Sequence, residues 1–189
     1  ENWYQTLRVR SIVGIIPLFA LERLKQSSMD GLANFPHDVD WYLANKKTMT
    51  QVCITPIEGL DGKSDLICAL TSPERTSRIL KKIMDKEEFL SPYGIRSVSK
   101  YHQKYPFTYL GQTVGYEPGE SKDHLKGGNS NWRGPIWLPI NFMLIQSLQA
   151  MERAFGDTLM PSLSFHSTAE ELANRIISLF TADKNGHRP

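Results

Sequence analysis

Apolar residues recur at steps of three and four over much of the chain, which is the spacing of amphipathic helices. The first such stretch covers residues 9–25 and contains Pro17, so it predicts a helix with a kink. A second, shorter helix is predicted over residues 35–47, where Pro36 stands near the start. The first quarter of the chain is therefore predicted to be helical.

A third helix is predicted in residues 71–89. Ser72 can cap it, Pro73 suits the first helical position, and Glu74 lies in the first turn, where a carboxylate is favourable. The stripe that this helix would bury consists of Ile79, Leu80, Ile83 and Met84. The charged run that follows, residues 85–89, is interpreted as a solvated helix end.

Two more helices are predicted in the last third of the chain. One is expected to begin at Gly134 or Pro135 and to end at Gly156, because glycine commonly terminates helices. The other is expected to begin at Ser167, which stands three residues before Glu170 in the spacing of a capping box.

The long connections between these helices carry weaker signals for strands. Residues 55–70 contain an Asp-Gly turn signal, and residues 105–118 contain β-prone residues on both sides of a Gly-Gln turn. A connection as long as residues 90–134 is more often functional than idle. The predicted fold class is therefore all-α, with long loops and a short β-hairpin. The alternation of helices and long loops is typical of a toroid built from α-hairpins.

Composition narrows the possible functions. The chain has 189 residues, 40% of them hydrophobic, which is enough to bury the core of one domain or part of one. Its 22 Lys and Arg residues nearly balance 20 Asp and Glu residues and are scattered, so no nucleic-acid partner is expected. The longest apolar run, residues 11–21, is too short to span a membrane, so no membrane partner is expected either.

Histidines, cysteines and glycosylation signals bear on cofactors and on cellular location. The five histidines are dispersed and the two cysteines lack metal-ligand spacing, so we expect neither a metal nor another cofactor. An Asn-x-Ser/Thr acceptor site is missing from the sequence, which favours a cytoplasmic location. The chain starts without Met, and both ends look cut from a longer sequence.

The densest aromatic motif is "NSNWRGPIW", which ends at Trp137. A sugar pocket needs aromatic faces and fixed polar groups, and here Trp132 and Trp137 offer the faces. Arg133 offers a rigid fork of donors and Asn131 an amide. The alternative is that both tryptophans simply belong to a core at a helix start. Tyr93 is a further candidate for the rim of the pocket.

Four segments of the chain, in order, resemble the C-terminal catalytic region of glycoside hydrolase family 63: "LRVRSIVGIIPLFALERL", "FLSPYGIRSVSKYH", "YEPGES" and "GGNSNWRGPIWLPINFMLIQSL". This family includes processing α-glucosidase and bacterial mannosylglycerate hydrolases. The resemblance covers almost the whole chain, and "WRGPIW" before an apolar helix is its most specific part. It implies an (α/α)6 toroid, of which residues 1–189 would be an incomplete part, and inverting hydrolysis of an α-linked glucosyl or mannosyl bond in an oligosaccharide or small glycoside.

Glycoside hydrolysis requires a pair of carboxyl groups, and Glu117 and Glu120 precede the tryptophans. The resemblance, however, implies that the catalytic Asp and Glu belong to sequence before and after this chain. We therefore expect Glu117 and Glu120 to order the loop, pairing with Arg133 or Arg96, and we expect the chain alone to be inactive. Tyr93 and Arg96 either shape the rim of the pocket or form a plain turn followed by a buried ion pair, and the sequence does not favour one over the other.

Two functions from different classes remain open. The chain is either the substrate-binding part of a glycoside hydrolase or a non-catalytic helical module that binds carbohydrate or another partner. The resemblance favours the hydrolase, with the remainder of the catalytic domain as its partner. We also expect the loops that hold Tyr93, Glu117 and Trp132 to converge on one end of the toroid.

Overall fold

A computed structural model describes residues 6–48, 53–59, 62–116, 118, 135–156 and 159–188. The chain divides into two compact units. Unit 1 consists of Glu1–Ile16, Ile79–Ile145 and Glu170–Pro189. Unit 2 consists of Pro17–Arg78 and Gln146–Ala169.

The predicted all-α fold class is wrong, because the described residues form three antiparallel sheets beside the helices. The strands are β1 (Leu21–Leu24), β2 (Ile54–Glu58), β3 (Ser64–Ala69), β4 (Leu90–Ser91), β5 (Gly94–Ile95), β6 (Phe107–Tyr109) and β7 (Gln112–Val114). In unit 2 they are ordered β1-β3-β2, and in unit 1 they form the pairs β4-β5 and β6-β7. The fold is mixed α and β.

The helix predicted for residues 9–25 is also wrong. Residues Ile12–Phe19 form a 3-10 helix, and β1 follows directly and pairs with β3. A 3-10 helix has three residues per turn, and Ile12, Ile15 and Leu18 are buried at this spacing. Pro17 lacks the N–H that an α-helix would need at that position. The helix-like pattern of the sequence therefore came from a period of three and not 3.6.

The hairpin predicted in residues 55–70 is confirmed as β2 and β3. Leu66 and Ile67 on the central strand β3 are buried, and β2 lies at the edge of the sheet, where Pro56 is tolerated. The antiparallel register pairs Ile54 with Cys68. Cys53 and Cys68 are free thiols, so the pair does not form a disulfide in this structure.

The α-helices described by the structure are α1 (Gln26–Met29), α2 (Phe35–Asn45), α3 (Pro73–Ile83), α4 (Leu138–Phe155) and α5 (Phe165–Ser178). The prediction that α2 and α3 exist is confirmed, but both end earlier than predicted, at Asn45 and Ile83. Ser72 caps α3 as expected, since its Oγ accepts the N–H of Arg75 at 3.4 Å and its carbonyl accepts the N–H of Thr76 at 2.9 Å. None of these helices is long and apolar enough to cross a membrane.

The last two helices exist but begin elsewhere than predicted. Helix α4 starts at Leu138, after Pro135 has accepted the N–H of Ser97 through its carbonyl at 2.8 Å and Ile136 has paired with Arg96. These long-range backbone bonds hold the chain extended at the predicted helix start. The helix ends at Gly156 as predicted, and this glycine has a positive φ of 52°.

Helix α5 is capped by Ser164 and not by Ser167. The Ser164 Oγ accepts the N–H of Ser167 at 3.2 Å, and the Ser164 carbonyl accepts the N–H of Thr168 at 3.0 Å. The predicted hairpin of residues 105–118 is confirmed as β6 and β7, but its turn consists of Leu110 and Gly111, both with positive φ. That combination matches the type I′ turns that suit two-residue hairpins.

Candidate functional site

The site candidate in unit 1 is a buried and mostly irregular stretch of chain around the short β4–β5 hairpin, with one exposed tip. Residues 88–91 and 94–99 are buried, whereas Pro92 and Tyr93, between β4 and β5, are exposed. A buried irregular segment must find hydrogen-bond partners for its backbone, because no water reaches it. The bonds described below supply those partners, and they make this stretch, residues 88–99, a firm platform beneath Tyr93.

The guanidinium of Arg96 ties the platform together from inside. It donates to the carbonyl oxygens of Lys86 at 3.0 Å, Glu88 at 3.4 Å and Leu90, and its Nε donates to the Tyr116 hydroxyl at 3.3 Å. Arg96 is only 9% exposed. Among the described residues, backbone carbonyls and a phenol receive its hydrogen bonds. Its predicted pairing with Glu117 or Glu120 lies outside the described residues.

Asn141, on the first turns of α4, joins the platform to that helix. Its Oδ1 accepts the N–H of Ile95 at 2.7 Å, and its Nδ2 donates to the carbonyl of Ile95 at 3.1 Å and to that of Trp137 at 3.0 Å. Because Ile95 presents one donor and one acceptor to the same amide, the orientation of the Asn141 side chain is fixed. The residue is 1% exposed.

The platform also contacts Tyr116 and the residues that precede α4. Tyr116 is hydrogen-bonded to Arg96, and the Tyr116 ring lies 5.6 Å from the Arg96 guanidinium carbon. At the other end, Ile136 pairs with Arg96, and Pro135 accepts the N–H of Ser97. Tyr116 and Ile136 therefore both contact the platform at Arg96.

A buried carboxylate that sequence reasoning missed lies in unit 1 at the start of the platform. Glu88, interpreted from the sequence as part of a solvated helix end, is 6% exposed and bonded to Arg10, to Lys82 at 2.5 Å and to the Ser99 hydroxyl at 2.6 Å. Burial raises the pKa of Glu88, but the bonds from Lys82, Ser99 and Arg10 outweigh it and leave the pKa below its usual value. Arg10 also stacks on the Tyr101 ring at 3.6 Å.

In unit 2, Asp65 is buried in a comparable way. Its carboxylate accepts bonds from Arg23 Nε at 2.9 Å and from the backbone N–H of Gln26 at 3.0 Å. The bond from Gln26 and then the bond from Arg23 hold the pKa of Asp65 below its usual value. Asp65 thereby caps α1 from the neighbouring strand, beside an open cavity of about 460 Å³. Neither buried carboxylate could be recognised from the sequence, because Asp65 lies alone in a strand pattern and Glu88 in a charged run after a helix.

Of the residues predicted to bind substrate, the structure describes Tyr93 and Trp137. Tyr93 is 39% exposed at the tip of the platform. Trp137, partly exposed, stands just before α4 and not inside its first turn. Its carbonyl accepts the first backbone hydrogen bond of the helix, from the N–H of Asn141 at 3.1 Å. The remaining predicted site residues lie outside the described residues: Glu117, Glu120, Asn131, Trp132 and Arg133.

Metal ligation has no visible basis in the part of the chain that the structure describes, where no group of three His, Cys, Asp or Glu residues could hold an ion. The candidate site therefore consists of Tyr93 and Trp137 and of a buried polar framework that supports both, formed by the platform and Asn141.

Comparisons with known proteins place this framework in a family. The chain is 39% identical over 194 residues to an uncharacterized protein of Saccharomyces cerevisiae, an alignment that covers 96% of the chain and 18% of that protein. It is 35% identical over 74 residues to a Schizosaccharomyces pombe protein named "Probable mannosyl-oligosaccharide glucosidase", with 39% of the chain and 7% of that protein covered. The chain thus spans less than a fifth of the relatives it matches.

The family model of the "Glycosyl hydrolase family 63 C-terminal domain" matches residues 66–182, which include the whole platform and Asn141. This match extends over more than half of the chain and agrees with the resemblance seen in the sequence motifs. The chain belongs to glycosyl hydrolase family 63.

Proposed function

We propose that this chain is one part of the catalytic domain of an inverting α-glycosidase and supplies a portion of its substrate-binding surface. The bond attacked is an α-linked glucosyl or mannosyl bond of an oligosaccharide or small glycoside. Family membership supports the glycosidase class. The name of the Schizosaccharomyces pombe relative supports a glucosyl-bearing oligosaccharide.

The observation that carries the binding role is the mounting of Tyr93 and Trp137 on a single buried framework. Sugar rings expose C–H faces that pack on aromatic side chains, and such packing is selective only if the aromatic residue is held still. We infer that Asn131, Trp132 and Arg133 belong to the same binding surface, because they stand in the sequence between Tyr116 and Ile136, which both contact Arg96. Arg133 would contribute a planar set of donors to sugar hydroxyls or to a loop carboxylate.

The catalytic carboxylates in this proposal come from sequence outside the chain. Inversion needs one carboxylic acid and one carboxylate about 6.5–9.5 Å apart, with room for a water molecule between the latter and the sugar. Asp65 and Glu88 are the buried carboxylates of the described residues, and both are already bound to cations. An engaged carboxylate with a lowered pKa is a poor proton donor at neutral pH.

The test compares the 189-residue chain with a polypeptide extended at both ends to the length of the yeast relative. The extended form should hydrolyse α-glucosides or α-mannosides and release the β-anomer first, as followed by proton NMR. The chain alone should show no turnover with the same substrates. Release of the α-anomer, or turnover by the chain alone, would contradict the proposal.

The binding role of Trp132 has its own test in the extended form. Trp132→Ala should lower kcat/KM by one to three powers of ten, about 1.4 kcal/mol for each power, and leave the melting temperature nearly unchanged. If Trp132 is instead a core residue, the same change should cost about 3–5 kcal/mol of stability. Melting and kinetics measured on one sample separate the two outcomes.

A further inference from the structure

We propose that Asn141 is a positioning residue for substrate: it holds the aromatic side chains of Tyr93 and Trp137 at a fixed separation. This inference rests on the function proposed above, and it assigns to Asn141 a role in binding although its buried side chain touches no substrate. The residue would act through the two backbone segments that its amide connects.

The connection is direct on both sides. Toward the β4–β5 turn, Asn141 forms two hydrogen bonds with Ile95, two residues after Tyr93, at 2.7 and 3.1 Å. Toward the helix start, its Nδ2 and its backbone N–H both donate to the carbonyl of Trp137, at 3.0 and 3.1 Å. One side chain therefore bonds to the backbone of Trp137 and to that of Ile95, in the strand that follows Tyr93.

The turn that carries Tyr93 also packs closely against the amide. A Cβ atom placed on Gly94 would lie 2.8 Å from Asn141 Oδ1 and 2.7 Å from Ile176 Cδ1. Gly94 has a φ of +119°, so it is glycine both for its backbone angle and for this close approach. The turn that carries Tyr93 is thus pressed directly against the amide that fixes Trp137.

The most informative substitution is Asn141→Asp, which keeps the shape of the side chain. It removes both donated hydrogens and turns a carboxylate oxygen toward the carbonyls of Ile95 and Trp137, at the two positions where Nδ2 now lies 3.1 and 3.0 Å away. Oxygen facing oxygen is repulsive, so the turn and the helix start should move apart. We expect KM in the extended enzyme to rise about tenfold to a hundredfold, and kcat to change less than threefold, because substrate positioning is lost while the distant carboxylates stay in place.

Two control variants separate positioning from general weakening. Asn174→Asp makes the same chemical change at an exposed position of α5 and should leave KM unchanged. Leu80→Val or Leu80→Ala, at a fully buried position of α3, is selected to match the loss of melting temperature of Asn141→Asp. If the matched Leu80 variant raises KM as much as Asn141→Asp does, Asn141 is merely structural and the inference is overturned.

A double-mutant cycle gives the decisive readout. If Asn141 acts through the two aromatic residues, Asn141→Asp should add less than a twofold rise in KM to a Tyr93→Ala, Trp137→Ala double variant. An undiminished effect in that background overturns the inference. Should Asn141→Asp fail to fold, Asn141→Ser, which loses the Ile95 bonds without adding charge, takes its place in the same cycle.

Failure of the proposed function looks different. If the double variant Tyr93→Ala, Trp137→Ala binds and hydrolyses substrate like the unmodified enzyme, these residues do not bind sugar, and the inference falls with the proposed binding role of the chain. If the double variant loses affinity and Asn141→Asp does not, the function stands and only the positioning role is wrong.

Discussion

Glu88 shows how one carboxylate can organise several chain segments. Arg10, Lys82 and Ser99 come from different parts of unit 1 and meet at its two oxygens. Its backbone carbonyl meanwhile accepts the N–H of Lys100 at 2.9 Å and a bond from Arg96. At the residue scale, the firmness of the platform therefore depends on this ionised side chain as well as on Arg96.

Glu88→Gln should lower the free energy of unfolding by about 1–3 kcal/mol at pH 7, because a charge-assisted set of bonds is replaced by neutral ones. The pKa of Glu88 in the folded state is depressed, so its contribution is complete above the usual glutamate value of 4.5 and is lost as pH falls through the lower folded value. Urea unfolding of both proteins should show a constant difference from pH 5.5 to 8 that shrinks below pH 4.5.

The neighbouring Glu87→Gln is the matched control for that experiment. Glu87 pairs with Lys100 at 2.9 Å, but its side chain is 73% exposed, so its loss should change stability far less. Equal losses for the two variants would show that burial of Glu88 does not matter.

Gly94→Ala should be more destabilising than Gly111→Ala. Both glycines have positive φ, +119° and +77°, so each alanine adds backbone strain of about 1–3 kcal/mol. Only the Gly94 variant also crowds neighbours, which costs about 1–3 kcal/mol more. Ile176 can rotate away, but Asn141 cannot move without losing its bonds to Ile95. Chemical denaturation of the two variants measures the difference, and equal losses would contradict the crowding.

At the scale of elements, the helix starts depend on which serine caps them. Ser164→Ala should cost about 1 kcal/mol because the N–H of Ser167 loses its acceptor, whereas Ser167→Ala should cost only a few tenths. Thermal unfolding of the two variants decides between these caps. A larger loss for Ser167→Ala would restore the capping box that the sequence suggested.

The elements that the sequence predicted correctly are those determined by neighbouring residues. Helix α3 has its cap, its proline and its stripe within one stretch, and the two predicted hairpins have local turn residues. Strand β1 could not be found in this way, because it exists only through pairing with β3, more than forty residues later. The late start of α4 has the same cause, since the bonds to Arg96 and Ser97 are non-local.

In the candidate site, too, only features that are recognisable from the local sequence could be predicted. Exposed aromatic candidates such as Tyr93 could be selected because their residue type suits sugars, and the family could be identified from motifs. The residues that support them could not. Asn141 lies in an apolar helix pattern and Glu88 in a charged run, and nothing local distinguishes a buried amide or carboxylate from a solvated one.

At the scale of the whole molecule, we expect substrate binding and catalysis to depend on different parts of the sequence. The chain spans 18% of its Saccharomyces cerevisiae relative, so a large part of such a protein lies elsewhere. We have proposed that binding residues come from this chain and that the acid and the base do not. Glu117 and Glu120 are where this division can be tested.

Glu117→Gln and Glu120→Gln, made separately in the extended enzyme, should each lower kcat less than tenfold. Removal of a true general acid or base lowers it by about 10²–10⁴. Steady-state kinetics on both variants, with Glu87→Gln as a control, measure the effect. A loss of a thousandfold or more in either variant would place a catalytic carboxylate inside this chain.

The repeat of buried positions in the 3-10 helix determines how freely that stretch can change during evolution. Ile12, Ile15 and Leu18 are buried, whereas Val13 and Ile16 are exposed, so one position in three is constrained to remain apolar. Drift toward polar residues is expected at the other positions in related proteins. A helical wheel drawn at about 100° per residue spreads the three constrained positions over an arc of about 120°. A wheel drawn at about 120° places them on one side and reveals the constraint.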